Sequence, residues 1–169
     1  MNVYLIGLMG SGKSTLGAHF AKKHNLQFVD VDDFIQQQEK KTIAQIFKEK
    51  GEEVFRQMEN QALQVLTRQK NCLLATGGGA PMLLDNQKLL QNGLVFYLHV
   101  KPHWLFQRLK HDKTRPLLQV DSPFLMLEKL YQTRHCVYLN LADCIVHLDG
   151  LNEKFSLCLL ENAYENFAH

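Results

Sequence analysis

Gly7-Leu8-Met9-Gly10-Ser11-Gly12-Lys13-Ser14 fits the spacing GxxxxGK(S/T), directly after an apolar strand candidate and directly before a stretch of helical period. Glycines at this spacing let the backbone wrap a polyphosphate with its N–H groups inward, while the helix start adds a favourable dipole. Gly10, Ser11, Gly12, Lys13, Ser14 and Thr15 are therefore the candidate nucleotide-binding residues. Lys13 would place a point charge on the β and γ phosphates, and Ser14 would ligate Mg2+. The alternative is a plain Gly-rich turn; strand, loop and helix in register favour bound ATP or GTP.

Asp30 and Asp32 lie where the second strand candidate ends, and residues two apart on an extended chain point to one side. Ligands of a doubly wound sheet gather beyond the carboxyl ends of its strands, so both carboxylates are expected beside the nucleotide loop. One would hold a magnesium water while the other accepts a substrate hydroxyl proton. The competing reading is a helix cap, assigned here to Asp33. Gly77, Gly78 and Gly79 follow the third strand candidate and predict a side-chain-free wall against a ligand, with a flexible turn as the bland alternative.

Arginine suits the clamping of carboxylate or phosphate by paired hydrogen bonds. Arg56 and Glu59 stand one helical turn apart, a spacing that permits an ion pair able to aim the guanidinium, although such pairs on exposed faces are common and weak. Arg115, in the polar stretch Lys110–Gln119, could fold over the phosphates; taken alone, a loop arginine reads as a surface residue. The eight histidines show no HExxH or other ligand spacing, which argues against a metal role for them. Four cysteines, Cys72, Cys136, Cys144 and Cys158, form no CxxC pair and are expected as free, buried thiols.

These groups need a scaffold, and 169 residues with 46% hydrophobic and 21% charged side chains suffice for one globular domain, residues 1–169. A net charge of +2 is far from the basic excess of a nucleic-acid binder, and no apolar run reaches the ~18 residues of a membrane span. A cytoplasmic protein is expected. Val3–Ile6, Phe28–Val29, Cys72–Ala75, Leu94–Val100 and Cys144–Leu148 are the strand candidates. Helices are predicted over Lys13–His24, Asp33–Gln38, Thr42–Lys50, Glu52–Gln69, Pro81–Gln91, Pro102–Lys110, Ser122–Leu139 and Glu153–Asn166. Apolar strands alternating with helices predict an α/β fold with a parallel sheet covered on both faces.

In combination the chain resembles the shikimate kinases. The resemblance rests on GLMGSGKST at Gly7–Thr15, DVD at Asp30–Asp32, IAQIFKEKGEEVFRQME at Ile43–Glu59, GGGA at Gly77–Ala80 and RLKHDKTRPLL at Arg108–Leu118. It implies a three-layer P-loop NTPase fold of the nucleoside-monophosphate-kinase type, with a central five-stranded parallel sheet, a substrate-binding helical region at about 32–60 and a mobile lid at about 110–123. It further implies transfer of the ATP γ-phosphoryl group to the 3-hydroxyl of shikimate by a monomer. By resemblance Ser14 holds Mg2+, Asp30 contacts it through water, and Asp32 binds shikimate hydroxyls and serves as base. Arg56, Arg134 and the Gly77–Gly79 segment would hold shikimate, Arg115 would be the lid arginine over the nucleotide, and Arg108 would lie near adenine. Lys13, Asp32 and Arg115 form the implied catalytic trio. After Arg134 the family's Pro-Leu-Tyr run is replaced by His135-Cys136-Val137-Tyr138, which keeps only the tyrosine. A gluconate-type sugar-acid kinase and a non-catalytic nucleotide-binding regulator are the alternative readings.

Overall fold

The structure is a computed structural model that describes residues 1–112 and 115–167. Lys113 and Thr114, within the expected lid, and His169 lie outside the described residues. Five strands, β1 (Val3–Ile6), β2 (Gln27–Asp30), β3 (Cys72–Ala75), β4 (Leu94–His99) and β5 (Cys144–His147), form one parallel sheet in the order β2-β3-β1-β4-β5. Every residue of β1, β3 and β4 is buried, as strands covered on both faces require, whereas β2 and β5 are edges with mixed exposure. The chain leaves β1 toward one edge and later crosses to the other side, so β1 stands beside the point where the winding reverses. The carboxyl ends of β1, β2 and β3 deliver the glycine loop, Asp30 and the Gly77–Gly79 segment to the same rim.

Among the described residues seven α-helices cover the sheet: α1 (Lys13–Lys23), α2 (Val31–Glu39), α3 (Ile43–Leu66), α4 (Leu84–Leu90), α5 (Pro102–Leu109), α6 (Pro123–Leu141) and α7 (Glu153–Glu165). The core gathers Tyr4, Leu5, Phe20, Leu63, Leu73, Phe96, Leu127 and Tyr138 between sheet and helices. At the amino end of β1 the buried Asn2 donates to the carbonyls of Thr67 at 3.2 Å and Gln69 at 2.7 Å and accepts from the Cys72 N–H at 3.3 Å. One side chain thus ties the end of α3 and the start of β3 to the central strand.

Several elements differ from the sequence expectation for local reasons. Helix α2 starts at Val31, not Asp33, and its N-cap is Asp30, which accepts from the N–H groups of Asp32 at 3.0 Å and Asp33 at 3.3 Å. Asp33 is therefore not the cap, and Asp32 sits in the first helical turn rather than on the strand. At Gly51 the structure agrees with the expectation: α3 is two helical stretches that meet at a kink there, where φ of 81° and ψ of 170° are open to glycine at little cost. Its start carries a capping box formed by Thr42 and Gln45. The helix expected from Pro81 is replaced by a 3-10 turn over Ala80–Met82, with α4 beginning only at Leu84. Asn86 and Gln87 donate to the carbonyls of Ala80 and Pro81, each at 2.8 Å, and so take the acceptors that a continuous helix would use. The cysteines are free as expected, but only Cys72 is buried; Cys136 and Cys158 are exposed and Cys144 is half-buried.

Candidate active site

The glycine loop between β1 and α1 turns on residues in left-handed backbone, Gly10 at φ 78° and Gly12 at φ 99°, the latter serving as the N-cap of α1. Lys13 follows it, buried, and its Nζ donates to the carbonyls of Gly7 at 2.8 Å and Leu8 at 2.9 Å. Burial lowers the Lys13 ammonium to about 8, and Asp32, Arg115, Asp30 and Arg134 all act on it electrostatically. Four residues chosen from separate parts of the sequence therefore converge on one lysine.

Three clefts open around the loop. On one side Gly10, Ser11, Gly12, Thr15, Arg108 and the 151–153 segment line a cleft of about 380 Å³. Arg108 reaches across from α5 and donates to the carbonyls of Gly10 at 3.1 Å and of Leu148 and Leu151 at 3.3 Å each. It braces the walls of the nucleotide cleft against each other. On the other side Ser14, Asp30, Asp32, Asp33 and Arg115 border an acidic cleft of about 470 Å³. There the Ser14 hydroxyl donates to Asp30 Oδ2 at 2.5 Å. A hydroxyl and a carboxylate in contact at the foot of a phosphate loop are hard oxygen donors of the kind Mg2+ prefers, so these residues fit that ion. No group of three His, Cys, Asp or Glu side chains that could hold a metal occurs among the described residues, so an ion here would complete its shell from phosphate and water.

The third cleft, about 60 Å³, lies between the glycine wall, α3 and the Pro116–Leu118 turn. Arg56 projects into it and is held from two sides, with Nη1 donating to Glu59 Oε2 at 2.5 Å and Nη2 to Glu52 Oε1 at 2.7 Å. The sequence spacing permitted the first pair, but not as the weak exposed contact it suggested: Glu59 is 0% exposed. Burial raises the Glu59 carboxyl to about 7, against the pull of Arg56. Burial likewise raises Asp32 to about 6, with the neighbouring Asp30 charge adding to the shift. Glu59 Oε1 and Asp32 Oδ1 are both buried without a hydrogen-bond partner. Two such orphaned acceptors side by side are costly unless a donor meets them.

The three glycines do more than present bare backbone. A Cβ on Gly77 would collide with Glu59 Oε1 and come within 2.9 Å of Asp32 Oδ1, and one on Gly79 would overlap the Arg56 guanidinium. The wall is thus side-chain-free because Asp32 of α2 and Glu59 and Arg56 of α3 occupy that space. Gly78 stands against Gly7, Met9 and Arg134, which joins it to the glycine loop. Arg134, 7% exposed on α6, borders the same cleft. Arg115 lines both this and the acidic cleft, and its Nε meets Asp112 Oδ2 at 3.4 Å. All the site residues expected from sequence therefore reach one rim. Glu59 as a buried acceptor and Tyr138, whose hydroxyl donates to the Gly78 carbonyl, were missed. Only the helical spacing of Arg56 to Glu59 and of Arg134 to Tyr138 hinted at them.

A phosphate loop on the central strand of a parallel sheet ordered 2-3-1-4-5, with an arginine-lined cleft for a small acceptor alongside, defines a P-loop small-molecule kinase. The shikimate kinase family model matches residues 9–163. A shikimate kinase of Aromatoleum aromaticum is 39% identical over 168 residues, which cover 99% of this chain and 96% of that protein. One from Vibrio cholerae is 39% identical over 154 residues, covering 90% and 88% of the two chains. The structure of an Acinetobacter baumannii shikimate kinase in complex with shikimate superposes with a TM-score of 0.90 at 36% identity, covering 98% of this chain and 93% of that one. The chain belongs to the shikimate kinase family. A deoxyadenosine kinase from M. mycoides, at 19% identity and a TM-score of 0.60, shares the fold alone.

Proposed function

We propose that the protein transfers the γ-phosphoryl group of ATP to the 3-hydroxyl of shikimate, giving ADP and shikimate 3-phosphate, in the small cleft beside the glycine wall. The observation that carries this reading is the pairing of two orphaned carboxyl oxygens, on Asp32 and Glu59, with the guanidinium groups of Arg56 and Arg134. A small acid with several hydroxyls supplies what each lacks: hydroxyl donors for the carboxyls and a carboxylate for the guanidiniums.

In this reading Gly10, Ser11, Gly12, Lys13, Ser14 and Thr15 bind the nucleotide phosphates, and Arg108 holds the cleft walls that embrace the nucleotide. Ser14 would hold Mg2+ directly and Asp30 through water, and the ion when bound offsets charge on the β and γ phosphates. Asp32 accepts the proton of the attacking hydroxyl, a role its raised affinity for protons suits. Arg56, aimed by Glu59 and Glu52, and Arg134 fix the acid, with Gly77, Gly78 and Gly79 as the backbone wall. Lys13 and Arg115 neutralise charge on the transferring group. The segment at about 110–123 acts as a lid that shuts water out, because water would otherwise compete as acceptor. No helix among the described residues is long and apolar enough to cross a membrane. We place the enzyme in the cytoplasm as a monomer, since one chain carries every group named.

A coupled ADP-release assay with shikimate, quinate and gluconate as competing acceptors tests the reading. Shikimate is expected to be strongly preferred. Equal turnover of gluconate would overturn the assignment of the acid cleft.

A further inference from the structure

Against the glycine wall, Tyr138 of α6 is completely buried, and its hydroxyl donates a hydrogen bond to the Gly78 carbonyl. Arg134, one helical turn earlier, bears on the same hydroxyl electrostatically. Its ring is held by Tyr97 of β4 at a centroid distance of 5.0 Å. Tyr138 is therefore a rigid post whose one polar side-chain atom is fastened to the wall.

The bond matters because of what the Gly78 carbonyl belongs to. Oxygen and hydrogen of a trans peptide point in opposite directions, so pinning the Gly78 oxygen toward Tyr138 directs the N–H of Gly79, a residue that lines the acid cleft, away from Tyr138. Three consecutive glycines offer little resistance to a peptide flip, since each tolerates backbone angles barred to other residues. Gly77 and Gly79 are buried, yet the N–H groups of Gly77, Gly78 and Gly79 donate to no acceptor among the described residues. N–H groups with no acceptor inside the protein are free to meet one from outside it.

We propose that Tyr138 is a positioning residue for the acceptor acid: its hydroxyl locks the Gly78–Gly79 peptide so that the wall presents its N–H groups to the acid in one orientation. The inference rests on the shikimate reading above but assigns a group that reading does not use. Tyr138 does not line the acid cleft, and its hydrogen bond reaches that cleft through the wall. Tyr138 itself makes no hydrogen bond to the nucleotide loop, so its loss weakens the acid's hold more than the nucleotide's.

The test is Tyr138→Phe, which keeps the ring and removes one oxygen. The KM for shikimate is expected to rise about tenfold, the loss of about 1.4 kcal/mol of binding, while the KM for ATP stays within twofold. Calorimetric titration of shikimate into the same variant should show the same factor in Kd, free of any effect on turnover. A variant whose shikimate KM and Kd match the parent's overturns the proposal. So does one whose two KM values and melting temperature all move together, since that is the mark of general loosening. Failure of the parent itself to turn over shikimate would instead sink the substrate reading, and this inference with it.

Discussion

Asp32→Asn should make the protein more stable while it abolishes its chemistry. Burial holds the Asp32 carboxyl at about 6, above the 3.8 of an unburied aspartate, so the folded chain binds the proton more tightly than the unfolded chain. Stability therefore falls as pH rises from about 3.8 to about 6, then stays level with respect to this group. At about 1.4 kcal/mol per pH unit the ionised carboxylate costs the fold about 3 kcal/mol above pH 6. Asparagine copies the protonated acid in shape and carries no charge. The variant should accordingly gain up to about 3 kcal/mol at pH 8, or roughly 6–12 °C in Tm for a chain of this size, and the gain should vanish near pH 4. Turnover should drop at least about 100-fold for want of a proton acceptor. Thermal melts of parent and variant followed by circular dichroism across pH 4–8, with an ADP-release assay at pH 8, measure both sides. A variant no more stable than the parent at pH 8, or one whose advantage does not shrink on acidification, refutes the reasoning.

The same carboxyl sets a pH profile: kcat/KM for shikimate should rise with pH and level off above about 6, as Asp32 becomes able to accept a proton, and a flat profile down to pH 5 would remove it as the base. Arg56→Ala frees Glu59 and Glu52 from their shared cation and should raise the shikimate KM at least tenfold or abolish turnover, while titration with a fluorescent nucleotide shows unchanged affinity. Gly77→Ala places a methyl group where Glu59 Oε1 now lies and should lower kcat/KM for shikimate by about tenfold or more through displaced contacts. Parent-like kinetics in that variant would show that the wall has room to spare.

The parts of the site that are local in sequence are legible from the residues alone. A loop such as Gly7–Ser14 carries its own geometry, because the glycines, the lysine and the helix start lie within a few residues of each other. The strand candidates also stood out, since buried parallel strands are short apolar runs. Their order was not available from that pattern: β3 sits between β2 and β1 through contacts across tens of residues. Asp30 and Asp32 were identified as a pair with the wrong local geometry, because a strand end and a helix N-terminus share the same residue preferences. Glu59 was visible as a partner for Arg56, but helical spacing does not reveal which face is buried, and its burial is what gives it an unsatisfied oxygen. The glycine run was read as room for a ligand, whereas Gly77 and Gly79 first make room for Glu59 and Arg56.

The Asn2 clamp has a mechanical meaning at the opposite end of the molecule. It fastens the last residues of the helix that carries Arg56 to the strand that launches the phosphate loop. Arg56 rides about 16 Å up that helix from Thr67, at 1.5 Å of rise per residue. A tilt of about 4° at the fulcrum would swing its guanidinium by about 1 Å, a displacement that can slow a reaction about 100-fold. A small amide remote from the clefts would thereby set the aim of Arg56 on the phosphate loop.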